Sequence, residues 1–223
     1  IPIIIHGGGK RISNKLKEVG IKSQFINGLR VTDKNSINIV EDVLINFNKE
    51  IIESLKKNLC ESQSITSKEN NILIVEQENK ELGFVGTPIE INLSIIDQIV
   101  TEKKVPVIAP LGLDKNHQVY NINADTVAGS VAKKLNARRL IIMSDVEGVL
   151  NDNKKLISEI NTGEVNNLIK CGTINGGMIP KIKNCLDVAN NGVKGVCIID
   201  GRLEHSILFE LLSNAGSGTL IRE

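Results

Sequence analysis

The sequence predicts an α/β fold with a mostly parallel sheet, and three observations support this class. Short β-branched runs alternate along the chain with segments of helical period, which is the pattern of strands joined by helices. Of the 223 residues, 41% are hydrophobic and 24% are charged, so the chain can bury a sizeable core. At the start, an apolar strand at residues 3–5 leads through glycines 7–9 into a helical period that Gly20 ends.

The later elements continue the alternation of β-branched runs with segments of helical period. Helices are predicted at residues 46–59, 95–100, 126–135, 165–170, 180–190 and 205–213, and strands at residues 72–75, 82–85, 105–109, 140–143, 196–199 and 219–221. The strands at 72–75 and 82–85 are expected to pair with each other. The polar stretch at 60–71 has no clear period, which predicts a loop or a sheet edge. We divide the chain into an N-terminal lobe, residues 1–113, and a C-terminal lobe, residues 114–223.

The composition excludes several classes of partner. Lys and Arg number 27 against 26 Asp and Glu, which gives no reason to expect nucleic acid or an anionic membrane. The apolar run at residues 1–5 is far below the roughly 20 residues that span a bilayer, so neither a transmembrane segment nor a signal peptide is predicted. The four cysteines form no CxxC pair, which predicts reduced thiols in a cytosol-like compartment.

The run Gly7-Gly8-Gly9, between a strand and a helix, is the first candidate site. Its backbone N–H groups can approach an anion closely, and the helix dipole adds to the attraction. A Walker loop is excluded because Ile4 and Arg11 stand where its first glycine and its Ser or Thr would be. The alternative is a tight turn without a ligand. His6, beside the run, is interpreted as a hydrogen-bonded core residue.

Three charged residues are further candidates. Arg30, in a glycine-containing turn, has the planar fork that matches a carboxylate, although a surface ion pair is the alternative. Asp125 stands where a helix begins, and either caps that helix or orients lysines around a phosphoryl group. Lys181 follows a glycine pair in the first turn of a helix, where a cation needs a compensating anion such as a polyphosphate. A solvated surface lysine is the alternative.

Five segments, taken in order, resemble the N-acetylglutamate kinases of the amino acid kinase family. They are His6-Gly-Gly-Gly, Asn27-Gly-Leu-Arg-Val-Thr, Asn121-Ile-Asn-Ala-Asp, Ser144-Asp-Val-Glu-Gly-Val and Gly177-Met-Ile-Pro-Lys. The resemblance implies an open three-layer αβα sandwich with a mainly parallel central sheet. It implies that the N-terminal lobe binds the acyl amino acid and forms the dimer, and that the C-terminal lobe binds ATP.

The resemblance also implies roles for single residues. Gly7 and Gly8 would cradle the reacting carboxylate and the phosphoryl group, while Lys181 would neutralise charge and Asp125 would position the lysines. The remaining implied contacts are Arg30, Asn121 and Asn123 for the substrate, and Ser144, Asp145, Gly148, Gly177 and Met178, with Lys181, for the nucleotide. Mg²⁺ would arrive bound to ATP, so no dedicated metal site is expected.

The activity that the resemblance implies is ATP-dependent phosphorylation of the side-chain carboxylate of N-acetyl-L-glutamate, in arginine biosynthesis. The alternatives are a kinase with a different acceptor and an impaired homologue that only binds ligands or partners, because the opening Lys-x-Gly-Gly strand of the family is not in this sequence. A homodimer or hexamer, inhibition by arginine and a PII-type partner are implied as well. The expected location is the bacterial cytoplasm, or the plastid stroma for a plastid-encoded chain.

Overall fold

A computed structural model of the chain describes residues 1–213 and 216–222. The chain forms two compact units, of which the first is Ile1–Val127 and the second begins at Ala128. The division therefore lies within a helix, whereas the sequence placed the lobe border between residues 113 and 114. The binding roles of the two lobes stay predictions. None of the described helices combines the length and the apolar character needed to cross a membrane.

The first unit alternates strands and helices. Its strands are β1 (Ile4–Ile5), β2 (Phe25–Ile26), β3 (Leu29–Arg30), β4 (Ser62–Ile65), β5 (Leu73–Gln77), β6 (Gly86–Ile91), β7 (Val105–Ile108), β8 (Leu111–Leu113) and β9 (Val119–Asn121). Its helices are α1 (Gly9–Glu18), α2 (Ile37–Lys57), α3 (Leu93–Thr101) and the start of α4 (Ala124–Lys134).

Two sheets and one hairpin organise this unit. β1, β7 and β4 form a parallel sheet in that order, with the buried strand β7 in the middle. β6, β5, β8 and β9 form a mixed sheet, and β2 pairs with β3 as a short hairpin. α1 and α2 pack against each other through Ile12, Leu16, Val40 and Leu44. Residues 6–8 connect the end of β1 to the start of α1.

The second unit has one mixed sheet and its own core. Its strands are β10 (Leu140–Ser144), β11 (Glu159–Asn161), β12 (Val196–Asp200) and β13 (Gly218–Arg222), and its helices after α4 are α5 (Val165–Lys170), α6 (Met178–Asn190) and α7 (Ser206–Leu212). The strand order is β10-β12-β13-β11, with β10 parallel to β12 and β13 antiparallel to β12. Every residue of β12 is buried. The α/β class predicted from the sequence is confirmed, with mixed sheets.

One predicted strand is wrong. Residues 82–85 do not pair with β5, because β5 pairs with β6 farther along the chain. The intervening residues Lys80–Leu82 form a 3₁₀ turn, which the Asn79 side chain caps by accepting a hydrogen bond from the Glu81 N–H. Gly83 then adopts a φ of +70°, a left-handed conformation that ends the turn. The loop between the strands is therefore longer than the sequence suggested.

The start of α2 was also predicted too late. The helix begins at Ile37, after a turn in which Asp33 accepts hydrogen bonds from the backbone of Ser36 at 2.8 Å and Asn35 at 3.1 Å. Its buried face includes the polar residues Glu41 and Asn48, which interrupt the apolar period in the sequence. The stretch at 60–71, predicted as a loop or an edge, contains β4 at the edge of the parallel sheet, which confirms the second alternative.

Candidate active site

A cavity of about 190 Å³ in the first unit brings together the predicted substrate residues. It lies where the glycine run meets β3, the end of β9 and the start of α4. The predicted residues that line it are Gly7, Gly8, Arg30, Asn121 and Asn123. Apolar walls come from residues such as Ile12, Leu44 and Val85. The mixture of an apolar wall with a few convergent polar groups is typical of a small-molecule site.

The glycine run forms the floor of this cavity and the start of α1, which begins at Gly9. A Cβ at Gly8 would lie 2.7 Å from Cδ2 of the buried Leu44, so any larger residue there would force Leu44 to shift. The first N–H groups of a helix have no partner within the helix, and they favour an anion. The glycine run therefore offers backbone N–H donors to the cavity, and its residues have no side chains that would block an approaching anion.

Arg30 presents a buried positive charge to the same cavity. Its guanidinium donates to Ser23 Oγ at 2.6 Å, to the Gly9 carbonyl at 2.8 Å and to Ser13 Oγ at 2.9 Å. The guanidinium carbon also lies 4.7 Å from the centroid of the Phe25 ring. Desolvation lowers the pKa of Arg30 below its usual value. Across residues 1–213 and 216–222, no carboxylate forms an ion pair with Arg30. The surface ion pair that the sequence left open is therefore wrong.

Asn121 lines the same cavity as Arg30 and is held by a buried threonine. Its amide donates to Thr32 Oγ1 at 3.2 Å, and the Thr32 hydroxyl donates to the Arg30 carbonyl at 3.1 Å. Thr32 is fully buried. One hydroxyl thus links the Asn121 side chain to the backbone of Arg30.

The helix that follows, α4, is capped by Asn123. Asn123 Oδ1 accepts a hydrogen bond from the Thr126 N–H at 3.1 Å, which is the usual geometry of a helix N-cap. The alternative that Asp125 caps this helix is therefore wrong. Asp125 lies within the first turn and is partly exposed, and its carboxylate is favoured there by the helix dipole.

The predicted nucleotide residues all lie in the second unit. Ser144 ends β10 and pairs in register with Asp200 at the end of the parallel strand β12. Asp200 is buried and accepts hydrogen bonds from the Arg202 backbone N–H and guanidinium at 2.7–2.9 Å, which lower its pKa to about 2. The carboxyl ends of adjacent parallel strands are where α/β proteins bind ligands. Asp145 follows this edge and is exposed.

The other predicted nucleotide residues differ in their surroundings. Gly148 is buried at a φ of +145°, and a Cβ there would lie 2.5 Å from Thr219 Oγ1, so both the backbone conformation and the packing favour glycine. Gly177 is exposed just before α6, and Met178 packs against the core of the second unit. Lys181 is partly exposed in the first turn of α6.

The sequence did not identify four residues that hold the predicted substrate side chains. Ser13, Ser23 and Phe25 contact Arg30, and Thr32 contacts Asn121. Thr32 belongs to the Asn27-Gly-Leu-Arg-Val-Thr segment, so its position was available as a signal. The two serines come from separate stretches of chain and had no local pattern.

The chain has counterparts among known proteins. It matches the Amino acid kinase family over residues 1–200. It is 69% identical over 222 residues to an acetylglutamate kinase of Pelagibacter ubique strain HTCC1062, a match that covers 100% of this chain and 77% of that relative. It is 44% identical over 226 residues to an acetylglutamate kinase of Caldanaerobacter subterraneus subsp. tengcongensis, covering 99% of this chain and 76% of that relative. The solved structure of smu.665 from Streptococcus mutans UA159 has a TM-score of 0.87 and 32% identity, and the match covers 99% of this chain and 85% of that one.

Proposed function

The chain belongs to the amino acid kinase family and is an enzyme of the acetylglutamate kinase type, and we propose that the cavity of its first unit holds the acyl amino acid. The resemblance in the five sequence segments is confirmed by these relatives, which also support amino-acid biosynthesis and ATP as the co-substrate. The relatives lend no support to the alternative of an impaired homologue.

The buried guanidinium of Arg30 carries the proposal for the substrate. In the described part of the chain, hydroxyl, carbonyl and ring contacts hold this charge and no carboxylate pairs with it. Such a charge favours an incoming carboxylate, which would complete its electrostatic surroundings. N-acetylglutamate has two carboxylates. The α-carboxylate would bind Arg30 and Asn121, and the side-chain carboxylate would then lie toward Gly7 and Gly8 in the same cavity.

The reaction is a phosphoryl transfer that needs no strong base. The side-chain carboxylate has an ordinary pKa of about 4.3 and is ionised at neutral pH, so one of its oxygens can attack the γ-phosphorus directly. The bond between that phosphorus and the bridging oxygen of ADP breaks, and an acyl phosphate and ADP form. The amides of Gly7 and Gly8 would donate to the charge that develops on the transferring group.

The second unit would hold the nucleotide. Ser144 ends β10 and Asp145 follows it, at a carboxyl edge where α/β proteins usually bind ligands. Gly177 and Met178 precede Lys181 at the start of α6. Gly148 would shape this pocket through its packing on Thr219. Lys181 would neutralise phosphoryl charge. For Asp125, in the first unit, the resemblance implies the role of positioning lysines. Mg²⁺ would be bound by ATP oxygens and water.

We also propose a homo-oligomer, either a dimer or a hexamer, which size-exclusion chromatography with light scattering would distinguish. Inhibition by arginine and a PII-type partner are proposed on the resemblance of the C-terminal region to regulated members. An arginine titration and a binding assay with a PII protein test them. The named relatives are bacterial, which favours the cytoplasm over the plastid stroma.

The decisive experiment measures acyl-phosphate formation, trapped with hydroxylamine, for the full-length protein with ATP and Mg²⁺. The acceptors are N-acetylglutamate, glutamate, aspartate and carbamate. We expect a signal with N-acetylglutamate alone and its loss in Lys181→Ala. A signal with another acceptor instead would establish the kinase of altered acceptor, and no signal from folded protein would contradict the proposal.

A charge-removing variant tests the substrate cavity itself. Arg30→Met should raise the KM for N-acetylglutamate about 10- to 150-fold, because a hydrogen bond to a charged group contributes roughly 1.5–3 kcal/mol. The KM for ATP should stay unchanged. Arg138→Met, at an exposed arginine, is the matched control. An equal effect of both variants on the acceptor KM would contradict the role of Arg30.

A further inference from the structure

His6 is a buried histidine directly before the glycine run, and the proposed reaction assigns it no role. Its Nδ1 lies 2.9 Å from the Gly7 carbonyl oxygen, and its Nε2 lies 3.2 Å from the Asn48 amide nitrogen. The same amide nitrogen donates to the Val107 carbonyl at 2.9 Å, and Phe47 meets the imidazole edge to face at 5.1 Å. The ring is therefore held by Asn48 and Phe47 of α2, and Asn48 is itself held by β7.

These contacts determine which ring nitrogen carries the proton. A carbonyl oxygen can only accept, so the Asn48 nitrogen that contacts Val107 must be a donor. His6 Nε2, facing the same donor, must then accept and is unprotonated. On the other side, the Gly7 carbonyl also only accepts, so Nδ1 must be protonated. Both ends of the ring require the same neutral tautomer, and burial, which lowers the pKa of His6, favours that neutral form.

The hydrogen bond to Gly7 also orients the next N–H group. The carbonyl of Gly7 and the N–H of Gly8 belong to one peptide unit, and the described residues contain no cis peptide bond. In a trans peptide these two groups point in opposite directions. Because the carbonyl faces the imidazole, the Gly8 N–H faces away from it. Gly7, Gly8 and Gly9 all line the cavity.

A peptide between two glycines needs such an anchor. Neither residue has a Cβ that would restrict rotation of this peptide plane, so both orientations are sterically accessible. A hydrogen bond accepted by the carbonyl also polarises the peptide and strengthens its N–H as a donor.

We propose that His6 is a positioning residue for the phosphoryl transfer: its neutral imidazole, held by Asn48, fixes the Gly7–Gly8 peptide so that the Gly8 N–H points at the reacting group. This inference rests on the proposed function, because it needs an anion on the glycine run. His6 itself contacts neither the substrate nor the phosphoryl group.

Two substitutions separate positioning from packing. In His6→Asn the side-chain amide can take the place of the Nδ1 donor, whereas in His6→Gln it reaches toward the place of Nε2. Both variants lose the aromatic contact with Phe47, so a purely structural role predicts equal effects. We expect His6→Gln to lower kcat about 10- to 100-fold, with little change in either KM. This is less than the roughly 100- to 1000-fold for removing a preorganised donor, because the Gly8 N–H stays in place and loses only its fixed orientation. His6→Asn should recover most of that loss, and His117→Gln, at an exposed histidine in a turn, should have no effect.

A measurement on the unaltered protein completes the test. Nitrogen NMR of protein labelled in its histidines should show a protonated Nδ1 and an unprotonated Nε2 for His6 at neutral pH. The opposite tautomer, or an equal kcat for His6→Asn and His6→Gln in an active enzyme, would overturn the inference. Failure of the proposed function is distinguishable, because the wild-type protein would then form no acyl phosphate from N-acetylglutamate.

Discussion

Removal of the Thr32 hydroxyl should weaken both the fold and the substrate site. Thr32→Val keeps the branched shape of the side chain but deletes the oxygen that links Asn121 to the Arg30 backbone. That oxygen accepts from the Asn121 amide at 3.2 Å and donates to the Arg30 carbonyl at 3.1 Å. No solvent can replace it, because Thr32 has 0% relative exposure.

The magnitude follows from the two hydrogen bonds. Loss of the bond to Arg30 removes about 1 kcal/mol, and the stranded amide donor of Asn121 adds about 1–3 kcal/mol, so the free energy of unfolding should fall by about 2–4 kcal/mol. Asn121 also loses its orientation in the cavity wall. A loss of about 1 kcal/mol in substrate binding raises the KM for N-acetylglutamate about fivefold.

Urea unfolding followed by circular dichroism measures the first effect, and steady-state kinetics measures the second. Thr32→Ser is the matched control, since it keeps the hydroxyl and loses only a methyl group. We expect the serine variant to retain the wild-type KM for N-acetylglutamate, and both variants to retain the KM for ATP. If valine and serine gave the same KM and the same unfolding midpoint, the hydroxyl would not link Asn121 to Arg30 as described.

Three further predictions concern the second unit. Gly148→Ala should destabilise the fold by about 1–3 kcal/mol through overpacking, and an unchanged melting temperature would contradict this. The pKa of Cys171 is lowered by its hydrogen bond to a threonine, whereas burial, with a hydrogen bond to a glutamate, raises that of Cys197 to about 12. Iodoacetamide at neutral pH should therefore label Cys171 first, and mass spectrometry showing faster labelling of Cys197 would refute this. Hydrogen bonds from Arg202 lower the pKa of Asp200 from 3.8 to about 2. The stability that this interaction adds to the fold is therefore complete above pH 3.8 and is lost as the pH falls through 2. Acid titrations should show a smaller loss of stability over this window in Asp200→Asn than in the wild type.

Much of the secondary structure was accessible from the sequence because it depends on local periods. The strands predicted at residues 105–109 and 196–199 are found at Val105–Ile108 and Val196–Asp200, and both are buried throughout. The start of α2 was missed because Glu41 and Asn48 lie on its buried face, where an amphipathic period expects apolar residues. Asn48 is needed there as a donor to Val107 and His6. The hydrogen bond from Asn48 of α2 to Val107 of β7 explains why a polar residue lies on the buried face of this helix.

The sequence by itself determined the α/β class, the family and the glycine run, because these depend on local backbone requirements and on the order of short segments. Only the tertiary structure decided that Arg30 is buried and that no carboxylate among residues 1–213 and 216–222 pairs with it. It also decided that Asn123 rather than Asp125 caps α4, and that His6 contacts the Gly7 carbonyl. Each of these depends on which donor meets which acceptor in the folded chain. Partners such as Asn48 and His6 lie 42 positions apart, and no local pattern encodes that they meet.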